Sequence, residues 1–197
     1  MNLMEKKAYI PPKLLFNGHL QTVYPALFRK IKLLTPYIHE RIMTQDQDFL
    51  DLFWMKKKRK KLVIISHGLE GNADRTYVKG MANAHFSEGF DVLAWNYRGC
   101  SEQINNLPKM YHSGATEDLL AVVNHAEKDY NEIYLIGFSL GANLTLKFLG
   151  EQGAYKNVKK ACAIAAPLDL KSGSLHLNTP KNYLYQRRFM RSLKKKA

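Results

Sequence analysis

Four short apolar runs, Val63–Ile65, Val92–Trp95, Ile133–Ile136 and Ala161–Ala165, are separated by longer mixed segments. That spacing constrains the chain more than any other feature. Runs this short and this apolar suit strands buried on both faces, and the long connections suit crossover helices. Helices are predicted over 74–87, 116–128 and 140–149. The fold class is therefore α/β, a mostly parallel sheet flanked by helices. Ahead of these runs, Ile42, Leu50, Leu52 and Trp54 recur at strand-like intervals, which predicts two antiparallel strands between Glu40 and Trp54. The lysine run that follows, Lys56–Lys61, suits a solvent-facing hairpin turn. The stretch through about Tyr37 is broken by Pro11, Pro12, Pro25 and Pro36 and reads as an N-terminal extension.

In open parallel sheets, ligands bind beyond the carboxyl ends of the strands. Those ends read Ser66-His67-Gly68, Asn96-Tyr97-Arg98-Gly99, Gly137-Phe138-Ser139 and Ala166-Pro167. Gly137-Phe138-Ser139-Leu140-Gly141 matches G-x-S-x-G and lies between an apolar run and a helix-compatible segment, the context in which this motif presents a nucleophile. A serine at such a turn has a strained backbone, and Gly137 and Gly141 remove the Cβ atoms that would collide with the adjoining strand and helix. Ser139 is thus the candidate catalytic nucleophile. Leu140 N–H, at a helix N-terminus, is one candidate oxyanion donor, and Leu69 N–H, after Ser66-His67-Gly68, is the other. Gly68 keeps that turn open.

The chain carries a net charge of +13, which raises the question of nucleic acid. Much of the excess sits in Lys56–Lys61 and Lys194–Lys196, without aromatic-basic interleaving or zinc spacing, so a solvated turn and tail are expected and no nucleic-acid partner. The two cysteines, Cys100 and Cys162, form no CxxC pair. Free thiols fit a reducing, cytoplasmic setting, and the N-terminal segment lacks the apolar run of a signal peptide. No metal site is expected, because the histidines are scattered and no His-Glu-x-x-His spacing occurs; no cofactor is called for.

Taken together, these motifs resemble one family. Pro11-Pro12, Asn17-Gly18-His19-Leu20-Gln21-Thr22, Ser66–Gly71, Asn96–Ser101, Tyr111-His112-Ser113-Gly114 with Asp118, Gly137–Asn143, Lys147–Glu151 and Ala166–Leu170 occur in an order similar to that of the YheT-type α/β-hydrolases (AB hydrolase family four). These are bacterial carboxylesterases with lipid-active relatives in plants and animals. The resemblance implies the α/β-hydrolase fold, a serine nucleophile at Ser139 and a small acyl-ester substrate.

In that fold the acid and the histidine follow the serine in the chain. Beyond Ser139 the histidine is His176, and the leading acid is Asp169, placed too early to match the family's acid. The stretch from Asp169 to His176, seven residues on, reads as loop, without a scaffold to aim an imidazole. His19, His67 and His112 precede the nucleophile and are expected to be structural, as are His67, Gly68, Gly137 and Gly141 around the site. Arg98 and Asp118 are candidates for a bracing pair, and Cys100 is not expected to be a reactive thiol. The expectation is one C-terminally truncated domain over 1–197, with an extension over 1–37, the start of a cap over 171–197, and a sheet lacking its last strands. Asn182–Lys195 reads as an amphipathic helix whose apolar side is exposed and allows weak membrane-surface contact. The competing expectation is an inactive truncated or split-gene fragment, completed by a second chain that supplies the acid and histidine.

Overall fold

The computed structural model describes residues 9–153 and 155–196. They fall into two compact units, one up to Lys32 and one from Leu33 onward. The first holds a single helix, α1 (Gly18–Phe28), whose Asn17 N-cap accepts a hydrogen bond from Leu20 N–H at 2.9 Å.

The second unit is built on a six-stranded sheet. Its strands are β1 (Ile38–Met43), β2 (Phe49–Met55), β3 (Lys61–Ser66), β4 (Asp91–Asn96), β5 (Glu132–Phe138) and β6 (Val158–Ile164). The spatial order is β1-β2-β4-β3-β5-β6. β1 and β2 run antiparallel, β2 also pairs antiparallel with β4, and β3, β4, β5 and β6 are parallel to one another. This corrects one expectation. The hairpin is formed by 44–48 between β1 and β2, whereas the lysine run connects β2 to β3, strands that are not neighbours. Buried Asp91 pins that run by accepting from Lys57 N–H (2.7 Å) and Arg59 N–H (3.1 Å), which lets its side chains remain solvated.

The period of two along the central strands divides the core. Leu62 and Ile64 of β3 face α3 (Thr116–Ala126) and α4 (Leu140–Gln152), packing with Leu119, Val123, Leu144 and Phe148. Val63 and Ile65 face α2 (Thr76–Ser87) and pack with Val78, Ala82 and Phe86. Each of these strand side chains is fully buried, which stabilises the fold by roughly 1.5–3 kcal/mol apiece. In register, Ser66 lies opposite both Trp95 and Gly137. The carboxyl ends of β3, β4 and β5 therefore finish level, and the turns that leave them converge.

β6 is different, since its central residues Lys159–Ala163 are exposed. After it come α5 (Leu170–Leu177), one turn of 3-10 helix at Pro180–Asn182, and α6 (Tyr183–Leu193). The α5 segment was expected to be loop. Its helix starts at Asp169, whose carboxylate caps Ser172 N–H at 2.9 Å, and this local cap outweighs the weak propensity of Ser172, Gly173 and Ser174. On α6, Tyr185, Phe189 and Leu193 are half-buried, so only part of its apolar side, notably Tyr183, Leu184 and Met190, faces solvent.

The loops beneath the site are tied by buried charge. Arg98, 2% exposed, pairs with Asp118 (2.8 Å), Asp46 (2.9 Å) and Asp48 (3.2 Å). The Thr44 hydroxyl and then Arg98 hold the Asp46 carboxyl well below its usual range. Burial pushes Asp48 upward, but donors from Asn105, Asn106, Phe49 and Leu107 outweigh it and leave the group lowered. Removing the shared cation strands these carboxylates, so Arg98→Ala is expected to cost about 3–5 kcal/mol, read as a shift in the urea midpoint at constant slope. Because both carboxyl values lie below those of the unfolded chain, their contribution is complete above about pH 4 and is lost as pH falls through the folded values. The Arg98→Ala penalty should accordingly shrink in acid.

Candidate active site

The turn between β5 and α4 is the most constrained point of the sheet. Ser139 has φ 52° and ψ −115°, a positive φ that a non-glycine residue adopts only when its surroundings enforce it. The surroundings are backbone. A Cβ on Gly137 would lie 2.2 Å from the Gly141 carbonyl oxygen, and one on Gly141 would lie 2.5 Å from the carbonyl oxygens of Ser66 and His67. Ser139 N–H donates to Ile164 O of β6 at 2.9 Å, and Ser139 O accepts from Ala142 and Asn143 N–H at 2.9 and 3.1 Å. The side chain is left exposed at the N-terminus of α4. Leu140, the first residue of that helix, has an N–H without an intrahelical acceptor.

The second wall is the turn after β3. A Cβ on Gly68 would lie 3.3 Å from Ser139 Cβ, so this backbone abuts the serine. Nearly every polar group of the turn is engaged. His67 O accepts from Tyr97 Oη at 2.7 Å, Gly68 N–H donates to Tyr77 Oη at 3.0 Å, and Gly68 O accepts from Gly71 N–H at 3.0 Å. Glu70 N–H donates to Tyr111 Oη at 2.8 Å, and Glu70 O accepts from Arg75 at 2.7 Å. Leu69 N–H, in their midst, has no hydrogen-bond partner among the described residues. Sequence reasoning missed Tyr77, Tyr97, Tyr111 and Glu70 as the frame of this turn, because nothing local in the sequence links them.

The histidines play other parts. His67 is fully buried; its Nδ1–H donates to Gly68 O at 2.8 Å and its Nε2 accepts from Tyr97 N–H at 3.4 Å, which assigns the tautomer from its partners. Burial lowers its pKa to about 4, so it is neutral at neutral pH. His112 Nδ1 accepts from Gly114 N–H at 3.1 Å, within its own turn. Asp169 and His176 stand at opposite ends of α5, about 10 Å apart along its axis, too far for a direct hydrogen bond. Among the described residues none hydrogen-bonds the Ser139 hydroxyl. Cys100 is buried, and burial pushes its thiol up to about 11. No group of three or more His, Cys, Asp or Glu among the described residues is arranged to hold a metal ion.

Two measurements check this geometry. Ser139→Gly should unfold at higher denaturant than Ser139→Ala, by about 1 kcal/mol, because only glycine relaxes at this positive φ. Nitrogen NMR should show His67 as the Nδ1–H tautomer without titration above about pH 5. Since its folded pKa lies below the unfolded value of 6.5, the stability it contributes is complete above that value and falls as pH drops toward 4, by on the order of 3 kcal/mol.

The chain is similar to several known proteins. YheT of Escherichia coli (strain K12), a protein with an esterase name, is 32% identical over 195 residues, covering 96% of this chain and 57% of its own. The monoacylglycerol lipase of Saccharomyces cerevisiae is 30% identical over 123 residues, covering 61% of this chain and 27% of its own. Among solved structures, the Pyrococcus furiosus esterase Pf2001 superposes with a TM-score of 0.64 at 25% identity, covering 80% of this chain and 66% of that one. The chain spans about half, or less, of the length of the curated relatives it matches. No helix among the described residues is long and apolar enough to cross a membrane. The model of the α/β hydrolase fold matches residues 61–195, a span that contains both walls of the site, and the chain belongs to that family.

Proposed function

We propose that this chain is the nucleophile-bearing part of a serine hydrolase acting on small carboxylic esters, with Ser139 as nucleophile. The observation that carries this reading is the exposed Ser139, held at positive φ at the N-terminus of α4, where Leu140 N–H has no intrahelical acceptor, and abutted by the turn after β3, where Leu69 N–H has no partner among the described residues. In the acylation step the Ser139 Oγ–H bond breaks as its proton passes to a base, the Oγ–carbonyl carbon bond forms, the carbonyl π pair moves onto oxygen, and the Leu69 and Leu140 N–H groups donate to that oxyanion. Collapse breaks the ester C–O bond, the alcohol leaves with a proton, and water hydrolyses the acyl-enzyme. The esterase and lipase names of the relatives support ester substrates. The free thiols of Cys100 and Cys162 support a cytoplasmic setting.

A second reading has its own observation. The Ser139 proton needs a base, and both nitrogens of His67 are engaged elsewhere while no other histidine among the described residues bonds the hydroxyl. On this reading the chain is inactive by itself, and the acid and histidine come from a second polypeptide.

Hydrolysis of a short activated ester by the purified chain separates the two. On the first reading Ser139→Ala lowers turnover at least about a thousandfold, and a serine-directed phosphonate labels only the parent. Absence of both turnover and labelling, restored by adding the complementing polypeptide, supports the second.

A further inference from the structure

The two peptide groups on either side of the one that carries Leu69 N–H are each fastened to a tyrosine hydroxyl. Gly68 N–H donates to Tyr77 at 3.0 Å and Glu70 N–H donates to Tyr111 at 2.8 Å. The two tyrosines come from different parts of the unit, Tyr77 from the first turn of α2 and Tyr111 from the loop before α3. We propose that Tyr77 and Tyr111 are positioning residues, acting as a pair of staples that aim Leu69 N–H at the oxyanion formed on the Ser139 acyl adduct. This rests on the serine-hydrolase reading above and adds the means by which one of its two donors is held.

The surroundings of each hydroxyl suit that task. Glu70 has φ 52°, so the turn passes through a conformation that would relax if released. Tyr111 closes a ring around it, accepting from Glu70 N–H and donating to Glu70 Oε1 at 2.7 Å. The Tyr111 ring stacks on Tyr97, at 5.3 Å and 24°, and Tyr97 in turn donates to His67 O. Tyr77 joins both walls of the site, because its ring packs against Phe138, 4.9 Å away and next to Ser139, while its hydroxyl holds Gly68. Burial raises the pKa of both phenols, so each stays protonated. A peptide plane fixed on either side leaves the intervening N–H little freedom to turn, and an oxyanion donor is effective only when its direction is set before the charge develops.

The test uses Tyr77→Phe and Tyr111→Phe in the full chain, each removing one oxygen and leaving the ring packing. Amide hydrogen exchange should accelerate roughly tenfold at Gly68 in the first variant and at Glu70 in the second, with the Leu62–Ile65 amides unchanged. In ester hydrolysis kcat should fall about tenfold or more in each variant, with KM within about twofold of the parent. A role confined to stability would instead speed exchange throughout β3 and leave kcat of the folded fraction intact. Either that pattern, or unchanged exchange at both amides, overturns the proposal. If the parent shows no turnover that Ser139→Ala abolishes, the serine-hydrolase reading has failed, and the amide exchange alone decides whether the tyrosines hold the turn.

Discussion

Everything at the functional end of the sheet depends on one close approach of backbone to backbone, that of Gly141 against the carbonyls of Ser66 and His67. A Cβ there would sit 2.5 Å from both oxygens, well inside any tolerable contact. This approach brings the first turn of α4 onto the end of β3, and the turn after β3 lies against the serine, a Cβ on Gly68 falling 3.3 Å from Ser139 Cβ. The strain at Ser139 follows from it, because a strand that must enter a helix so near its neighbour has no unstrained route. The parallel register contributes the rest: with Ser66 level with Gly137, the two turns leave the sheet at one height and face each other.

Buried polar groups then decide how rigid that arrangement is. Asp91, Arg98 and His67 are almost wholly buried, and each is surrounded by partners that satisfy its hydrogen-bonding capacity. No buried side-chain nitrogen or oxygen among the described residues lacks a partner. Such networks contribute little net stability compared with the apolar core, but they are costly to break, which confines the loops to one arrangement. The division of labour is visible in Tyr97, whose ring lies 4.0 Å from His67 while its hydroxyl holds the His67 carbonyl. The residue before Gly68 is fixed by these contacts, Gly68 itself by Tyr77, and Glu70 by Tyr111.

Much of the fold was legible because burial leaves a local signature. Val63-Ile64-Ile65 and Val92–Trp95 are apolar at every position since both faces of their strands are covered, and each became the strand its pattern predicted. The Gly137–Gly141 turn was legible through its G-x-S-x-G spacing, in which Gly137 is required by the backbone of Gly141 four residues on, whereas Gly141 is required by the distant carbonyls of Ser66 and His67. Contacts between distant segments leave no such mark. Tyr111 lies 41 residues from Glu70 in sequence, and nothing about either residue announces the other. The lysine run misled because charge density signals a solvated turn but not which strands that turn joins; Asp91, 32 and 34 residues away, fixes its path. At α5, the glycine and serines spoke for a loop, and the capping bond from Asp169 was enough to reverse the outcome.

The segment after β6 is attached to the site at two places, and this shapes what it can do. At its start, Asn143 of α4, four residues from Ser139, donates through Nδ2 to Pro167 O at 3.0 Å. At its far end, Lys196 pairs with Glu70 at 2.8 Å and Ser192 also donates to the Glu70 carboxylate, one residue from Leu69. The excursion through α5 and α6 therefore leaves beside one oxyanion candidate and returns beside the other. The two attachments differ physically. The first is a neutral bond that salt leaves untouched, whereas the second is a pairing of charges, weakened by ionic strength wherever solvent reaches it. Tyr111 shares the Glu70 carboxylate with Lys196 and Ser192, so the strength of the second attachment is coupled to the hydrogen bond that steadies the Leu69 turn. Movement of α6 would be felt at Leu69 through Glu70, while the Asn143 tether keeps the start of the excursion in place.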